Sequence, residues 1–454
     1  MATAMAELSG PGILARLERI PVGRWHLKVR VVLAVALFFD AFDLLAISFA
    51  LPAFVNEWRL TPAQVGWVLS AAFFGQFIGA IVAGWLADRY GRVMLITTAT
   101  ALYALMSLGC AFAWGPQALM AFRFLAGVGL GAEVPVSNTY ISELAKTEKR
   151  GRFYVLFQVT FPFGLIAAAL LGYLLVPRLG WQAMFYIGTL PIFLVMFLPR
   201  LVPESPRWLV SRGRITEADT VVSKVERIIV AEGKQLPEPA PAKAAATREA
   251  MRWQEIFAPA YLRRTISVWV MWFCCFSTTY GLQSWLPTLY RTRFHLDVAH
   301  SNLYGLITQC CGILGTIMFA LTTDRFGRRP LFMVAFCGGA VTLLTLSGVG
   351  ATTAQTLLVF ISIGAFFMST GSMGLNLFTS EIYPTRVRAF GGAVGGAWQR
   401  VAAFVGPLVV GYLAPSYGLG PVFIYFGGLA AIGAIVTYIF AVETRGRTLE
   451  ELSR

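Results

Sequence analysis

Asp40 and Asp43 lie three residues apart in FFDAFDLLAI (38–47), inside an otherwise apolar run, and would share one face of a helix. An isolated charge in hydrocarbon is costly, so such residues are kept where a partner or a water-filled path serves them. Two cations, Arg123 and Arg400, and one further acid, Glu133, fall well inside comparable runs. Low dielectric disfavours an ionised carboxylate and a neighbouring guanidinium favours it, so changing their separation or hydration moves a proton on or off. Asp43 and Arg123 are the candidate pair for this chemistry, and a static salt bridge is the competing reading. One arginine cannot neutralise two aspartates, so a proton resident on one of them is expected. Glu133 lies ten residues past Arg123, about 15 Å deeper along the helix. It could bind a ring nitrogen when protonated, titrate as a second proton site, or close an empty site against Arg400. Arg400, in GGAVGGAWQRVAAFVGP (391–407), has no acid in its own half's apolar interior. An unpaired guanidinium there points to an anionic visitor held by two parallel hydrogen bonds; pairing with Glu133 or snorkelling would be the alternatives.

The elements that carry these charges are long and apolar. The chain has 454 residues, 57% hydrophobic and 13% charged, about half the charge of a soluble domain. Apolar stretches of membrane-spanning length are predicted at 28–56, 64–86, 93–114, 117–140, 152–175, 181–200, 263–292, 300–322, 330–349, 354–380, 389–413 and 420–441. This is an all-α membrane protein with twelve transmembrane helices in two groups of six. The N-terminus lacks a cleavable signal pattern. All six cysteines fall within predicted spans and no histidine lies mid-span, so neither a disulfide framework nor a histidine metal site is expected. The net charge of +14 suggests nucleic acid until its location is considered. With both termini inside, 31 of the 37 lysines and arginines lie in tails or cytoplasmic loops, and only Arg59, Arg178, Arg291 and Arg293 lie outside. That asymmetry is topological and argues against a nucleic-acid partner.

The organisation is an N-terminal tail (1–27), a six-helix bundle (28–200), a linker with short helices (201–262), a second bundle (263–441) and a C-terminal tail (442–454). Residues 214–231 of the linker have helical periodicity, and GKQLPEPAPAKAAATREA (233–250) reads as a spacer. The halves repeat one another. DRYGR (88–92) follows the second span and DRFGR (324–328) the eighth; Glu143 precedes Arg150 by seven residues, as Glu381 precedes Arg388.

These motifs resemble those of the major facilitator superfamily over essentially the whole length. RFLAGVGLG (123–131), PESPRWL (203–209) and VETRG (442–446) further resemble its sugar-porter and organic-ion branches. The resemblance implies two pseudo-symmetric six-helix bundles rocking about a central site. It also implies that Asp88, Arg89 and Arg92, with Asp324, Arg325 and Arg328, pair across the halves with Glu143, Arg150, Glu381 and Arg388 as conformational latches. Asp43 and Arg123 match the proton-coupling pair of sugar porters, and Arg400 followed by Gly406-Pro407 matches the anion version of a helix-eleven motif in organic-ion carriers. The glycines at 127, 129 and 131 are read as packing positions.

Aromatic residues make up 14% of the chain. Those beside polar residues within spans are the candidates to line a cavity: Phe157, Gln158, Phe161, Tyr280, Gln283, Trp285, Asn376 and Phe378. A ring stacked there would gain about 1 kcal/mol for each good pair. The expectation is a proton-coupled symporter importing a small organic anion such as nicotinate, resembling the metabolite–proton symporters of the bacterial inner membrane. It would act without cofactor or metal, as a monomer with both termini cytoplasmic. A sugar or organic-cation transporter of the same superfamily is the alternative, and a transporter-like sensor a distant one. No nucleophile–base set, metal spacing or phosphate loop suggests an enzyme.

Overall fold

The computed structural model describes residues 9–144, 150–239, 253–383 and 387–445. Spans 1 to 6 are Arg24–Phe54, Pro62–Tyr90, Arg92–Ala111, Pro116–Leu144, Phe153–Leu179 and Gln182–Leu201. Spans 7 to 12 are Tyr261–Arg293, Val298–Phe326, Arg328–Val349, Ala354–Ile382, Phe390–Tyr417 and Leu419–Phe440. No strand occurs among the described residues. Several helices outrun the apolar stretches because polar caps continue the turn. At span 2, Gln64 donates its backbone N–H to the Thr61 side chain and accepts from the Thr61 backbone N–H at 2.9 Å. Spans 5 and 6 are interrupted, near Val159 and before Pro191, where a proline lacks the N–H that would continue the ladder.

Small residues set the helix spacing in the N-terminal half. A Cβ on Gly127 or Gly131 would lie 2.1 or 2.2 Å from the Ala72 or Gln76 carbonyl of span 2, and one on Gly129 would lie 2.7 Å from the Ala99 carbonyl of span 3. Span 4 therefore presses backbone to backbone on two neighbours, which fixes where Arg123 and Glu133 stand.

The halves meet at the end opposite the chain termini. One buried cluster there combines residues of both halves, including Phe49, Leu69, Trp285 and Leu286. Asn302 of span 8 donates to the carbonyls of Phe49 at 3.0 Å and Gly172 at 2.9 Å. Ser70 donates to the Phe404 carbonyl at 2.8 Å, and Trp67 to the Tyr412 hydroxyl at 3.3 Å. At the terminus end a separate cluster belongs to the N-terminal half, roofed by an N-terminal helix, Gly10–Arg19, and a linker helix, Ile215–Ala231. A third belongs mainly to the C-terminal half. The molecule is closed at one end and divided at the other.

Candidate functional site

Asp43 and Arg123 are both fully buried within the N-terminal half. Arg123 donates to the Asp43 carboxylate at 2.6 Å and to its backbone carbonyl at 3.2 Å, and Ser107 donates to the other carboxylate oxygen at 3.1 Å. Both Asp43 oxygens are satisfied and the pair is held from three helices. Asp40, one turn toward the terminus end, is different: neither carboxylate oxygen has a hydrogen-bond partner of good geometry. It stands within reach of Glu133 and the Tyr103 hydroxyl. Glu133 is fully buried, accepts one hydrogen bond, from Ser137, and leaves its second oxygen unpartnered. Arg123 thus engages Asp43 alone, and Asp40 and Glu133 form a second buried carboxyl pair deeper in the half.

Arg400 projects from mid-span 11, half-buried. One of its nitrogens donates to the Gly396 carbonyl at 2.9 Å, its Nε has no partner, and it forms no ion pair among the described residues. Glu133 does not reach it. Beside it stands Tyr280, whose hydroxyl meets Gln399. Tyr280 ends a ladder on one face of span 7, with Trp272 stacked on Phe276 at 5.0 Å and Phe276 on Tyr280 at 5.9 Å. Phe73 of the opposite half packs 5.2 Å from Tyr280. An unpaired guanidinium therefore stands beside Tyr280, at the end of a buried aromatic stack to which both halves contribute. Sequence reasoning named Tyr280 and missed Trp272, Phe276 and Phe73. The spacing of four between 272, 276 and 280 is the signal that could have found the ladder; nothing in the sequence places Phe73 on it.

Other predicted lining residues lie elsewhere. Trp285 is buried in the closed end, where its indole N–H donates to the Pro407 carbonyl at 2.9 Å. Phe157 is enclosed in the cluster beneath the linker, and Phe378 packs edge-on to Phe332 at 5.3 Å. These three are packing residues, because a large ring in a helix bundle is as useful between helices as beside a ligand. Gln283 lines a small cavity of about 10 Å³ between spans 7, 9 and 10, water-sized and not open to Arg400. Phe161 packs against clusters of both halves, Gln158 has a buried carbonyl oxygen without partner, and Asn376 is exposed.

The repeated loop charges form two matching networks. Arg92 pairs with Asp88 at 2.7 Å and Glu143 at 3.5 Å; Arg328 pairs with Asp324 at 3.2 Å and Glu381 at 2.8 Å. Each network stays within its own half, so the expected pairing across the halves is absent among the described residues, because the terminus ends do not meet. Arg89 lies over the Trp85 and Tyr90 rings and Arg325 over Phe326, without carboxylate partners among the described residues. The side chains of Arg150 and Arg388 lie outside the described residues. Two acids unassigned from sequence complete the symmetry. Glu204 accepts from the backbone N–H groups of Arg92 and Val93 at the start of span 3, and Glu443 from those of Arg328 and Arg329 at the start of span 9. Ser205 and Thr444, each next in sequence, donate to Glu143 and Glu381. The carboxylates answer the free N–H groups of a helix start, and Gly91 and Gly327, at φ 109° and 91°, leave room for them. Burial pushes Glu204 above the usual carboxylate range. Burial also acts on Glu443, but its backbone donors outweigh it and hold that group below the range.

Comparison with known proteins places this geometry in context. Residues 41–454 match the family model described as sugar (and other) transporter. The chain is 34% identical to the niacin transporter NiaP of Acinetobacter baylyi, over 97% of this chain and 99% of that protein. It is 27% identical to the 4-hydroxybenzoate transporter PcaK of the same organism, over 85% of this chain and 86% of that one. Among solved structures, a partially occluded inward-open form of the xylose transporter XylE from E. coli superposes with a TM-score of 0.73 at 20% identity, covering 94% of this chain and all of that one.

Proposed function

This chain belongs to the sugar (and other) transporter family of the major facilitator superfamily, and from that premise we propose that it imports a small aromatic monocarboxylate, such as nicotinate, together with protons. The observation that carries the reading is Arg400, unpaired and set against the aromatic wall of Tyr280 and Phe73. A carboxylate would engage the guanidinium through two parallel hydrogen bonds while its ring lies on the wall. The similarity to transporters named for niacin and 4-hydroxybenzoate, both aromatic acids, supports that class.

The proton is assigned to the Asp40–Glu133 pair, and Asp43 with Arg123 is the fixed post that positions it. A substrate anion bound at Arg400 and a proton held at Asp40 cross together as the halves rock, so the loaded carrier moves little net charge. With both termini cytoplasmic, the divided end faces the cell interior and releases both. In the opposite state Arg89 and Arg325 are the cations free to pair across the closing terminus ends.

The test is uptake of radiolabelled nicotinate, benzoate and xylose into proteoliposomes under an imposed proton gradient. Nicotinate or benzoate should accumulate, with Arg400→Ala abolishing uptake and Arg400→Lys weakening it at least tenfold, because an ammonium lacks the planar fork. Accumulation of xylose alone would transfer the protein to the sugar porters.

A further inference from the structure

We propose that the junction of span 1, span 6 and the linker helix is a binding site for the phosphate headgroup of an anionic phospholipid. A cavity of about 190 Å³ opens there, about six times the share of one water in the liquid and enough for a phosphate with its glycerol. Three cations converge on it from three elements: Lys28 of span 1, Arg200 at the end of span 6 and Lys224 of the linker helix. None of the three forms an ion pair with the described residues, and no acid lines the cavity.

The surrounding cations are treated differently. Arg16 is paired with Asp219 at 2.5 Å and Glu226 at 2.7 Å, Arg19 with Glu226 at 2.8 Å, and Lys234 with Glu232 at 3.1 Å. Arg207 is paired with Glu18. The linker helix therefore commits Asp219 and Glu226 to the N-terminal helix and Glu217 to Arg214, and presents Lys224 to the cavity with no acid opposite it. Unbalanced charge of one sign around a cavity recruits the opposite sign.

Position distinguishes a lipid from a dissolved ion. Lys28 is four residues into span 1 and Arg200 one residue from the end of span 6, so the cations lie where headgroups meet the hydrocarbon. Trp25, Leu201 and Val225 give the cavity apolar walls that a glycerol backbone and first methylenes would cover and that free phosphate would leave unused. Basic pockets between helices at this level are suited to anionic lipids. Occupied, the site would tie the linker helix to both spans.

The experiment is thermal stability and native mass spectrometry of delipidated full-length protein with phosphatidylglycerol, phosphatidylcholine or glycerol 1-phosphate. Phosphatidylglycerol should remain bound and raise the midpoint by several degrees, and the other two should not. The variant combining Lys28→Gln, Arg200→Gln and Lys224→Gln should lose that response. Lys224→Gln alone, outside the spans, should weaken retention roughly fivefold and serves if the triple variant does not fold. An undiminished response in these variants, or an equal one to phosphatidylcholine, would overturn the site. An equal response to glycerol 1-phosphate would assign it to a soluble phosphate and overturn the lipid.

Discussion

Asp40 and Asp43 differ by one turn of helix and by everything around them. Asp43 has Arg123 and Ser107, and Asp40 has no well-formed partner. Asp40→Asn should therefore fold, retain substrate counterflow and lose accumulation driven by a pH gradient; normal accumulation would remove Asp40 from the proton path. Asp43→Asn leaves a buried guanidinium without its counter-charge, a loss of roughly 3–5 kcal/mol. It should appear as a lower thermal midpoint and poor yield before any transport is measured. At this scale the sequence was informative about charge and poor about rings. A charge in an apolar run has few reasons to exist, so Asp40, Asp43, Glu133 and Arg400 stood out. A phenylalanine has many, and Phe157 and Phe378 serve packing while the unflagged Phe276 joins the wall.

Two elements outside the spans hold the N-terminal half together at its base. The N-terminal helix docks on the linker helix through Arg16, Arg19 and Glu226. Burial pushes the Glu226 carboxyl up, but the hydrogen bonds and charges of the two arginines outweigh it and hold the group below its ordinary value of 4.5. A carboxylate so depressed stabilises the docked state above pH 4.5, and that contribution is lost as pH falls through the folded-state value. Amide exchange in residues 10–19 should accelerate below pH 4.5 relative to span 3; unchanged protection would mean that the docking rests on apolar contact alone. Glu204→Ala or Glu443→Ala should each cost about 1–2 kcal/mol by freeing the N–H groups of a helix start, read as a drop in thermal midpoint. The paired Glu-Ser and Glu-Thr steps that close the two halves were visible as motifs, yet their role needed the fold, because the helix starts they serve lie more than a hundred residues earlier.

The twelve spans and their twofold repetition were legible because hydrocarbon imposes length and charge imposes sidedness. Which end is closed was not, since the same motifs serve every state. The closed end depends on close approach: a Cβ on Gly66 would lie 3.1 Å from the Pro407 carbonyl and 3.4 Å from the Leu408 Cα of the opposite half. Gly66→Leu should hold these ends apart. Spin labels on the loops before span 2 and after span 11 should separate, and net transport should stop while ligand binding persists. Unchanged distances would show that span 11 yields to the side chain.

The two ends of the molecule are built of unlike materials. Asn302, Ser70 and Trp67 join the halves through uncharged donors, whereas the opposite mouth carries the arginine and carboxylate arrays. Dissolved ions weaken attraction between exposed full charges far more than a buried amide's grip on a carbonyl. Ionic strength thus becomes a one-sided probe: potassium chloride added to the compartment facing the arginines should alter the rate of reorientation, and the same salt across the bilayer should leave it unchanged.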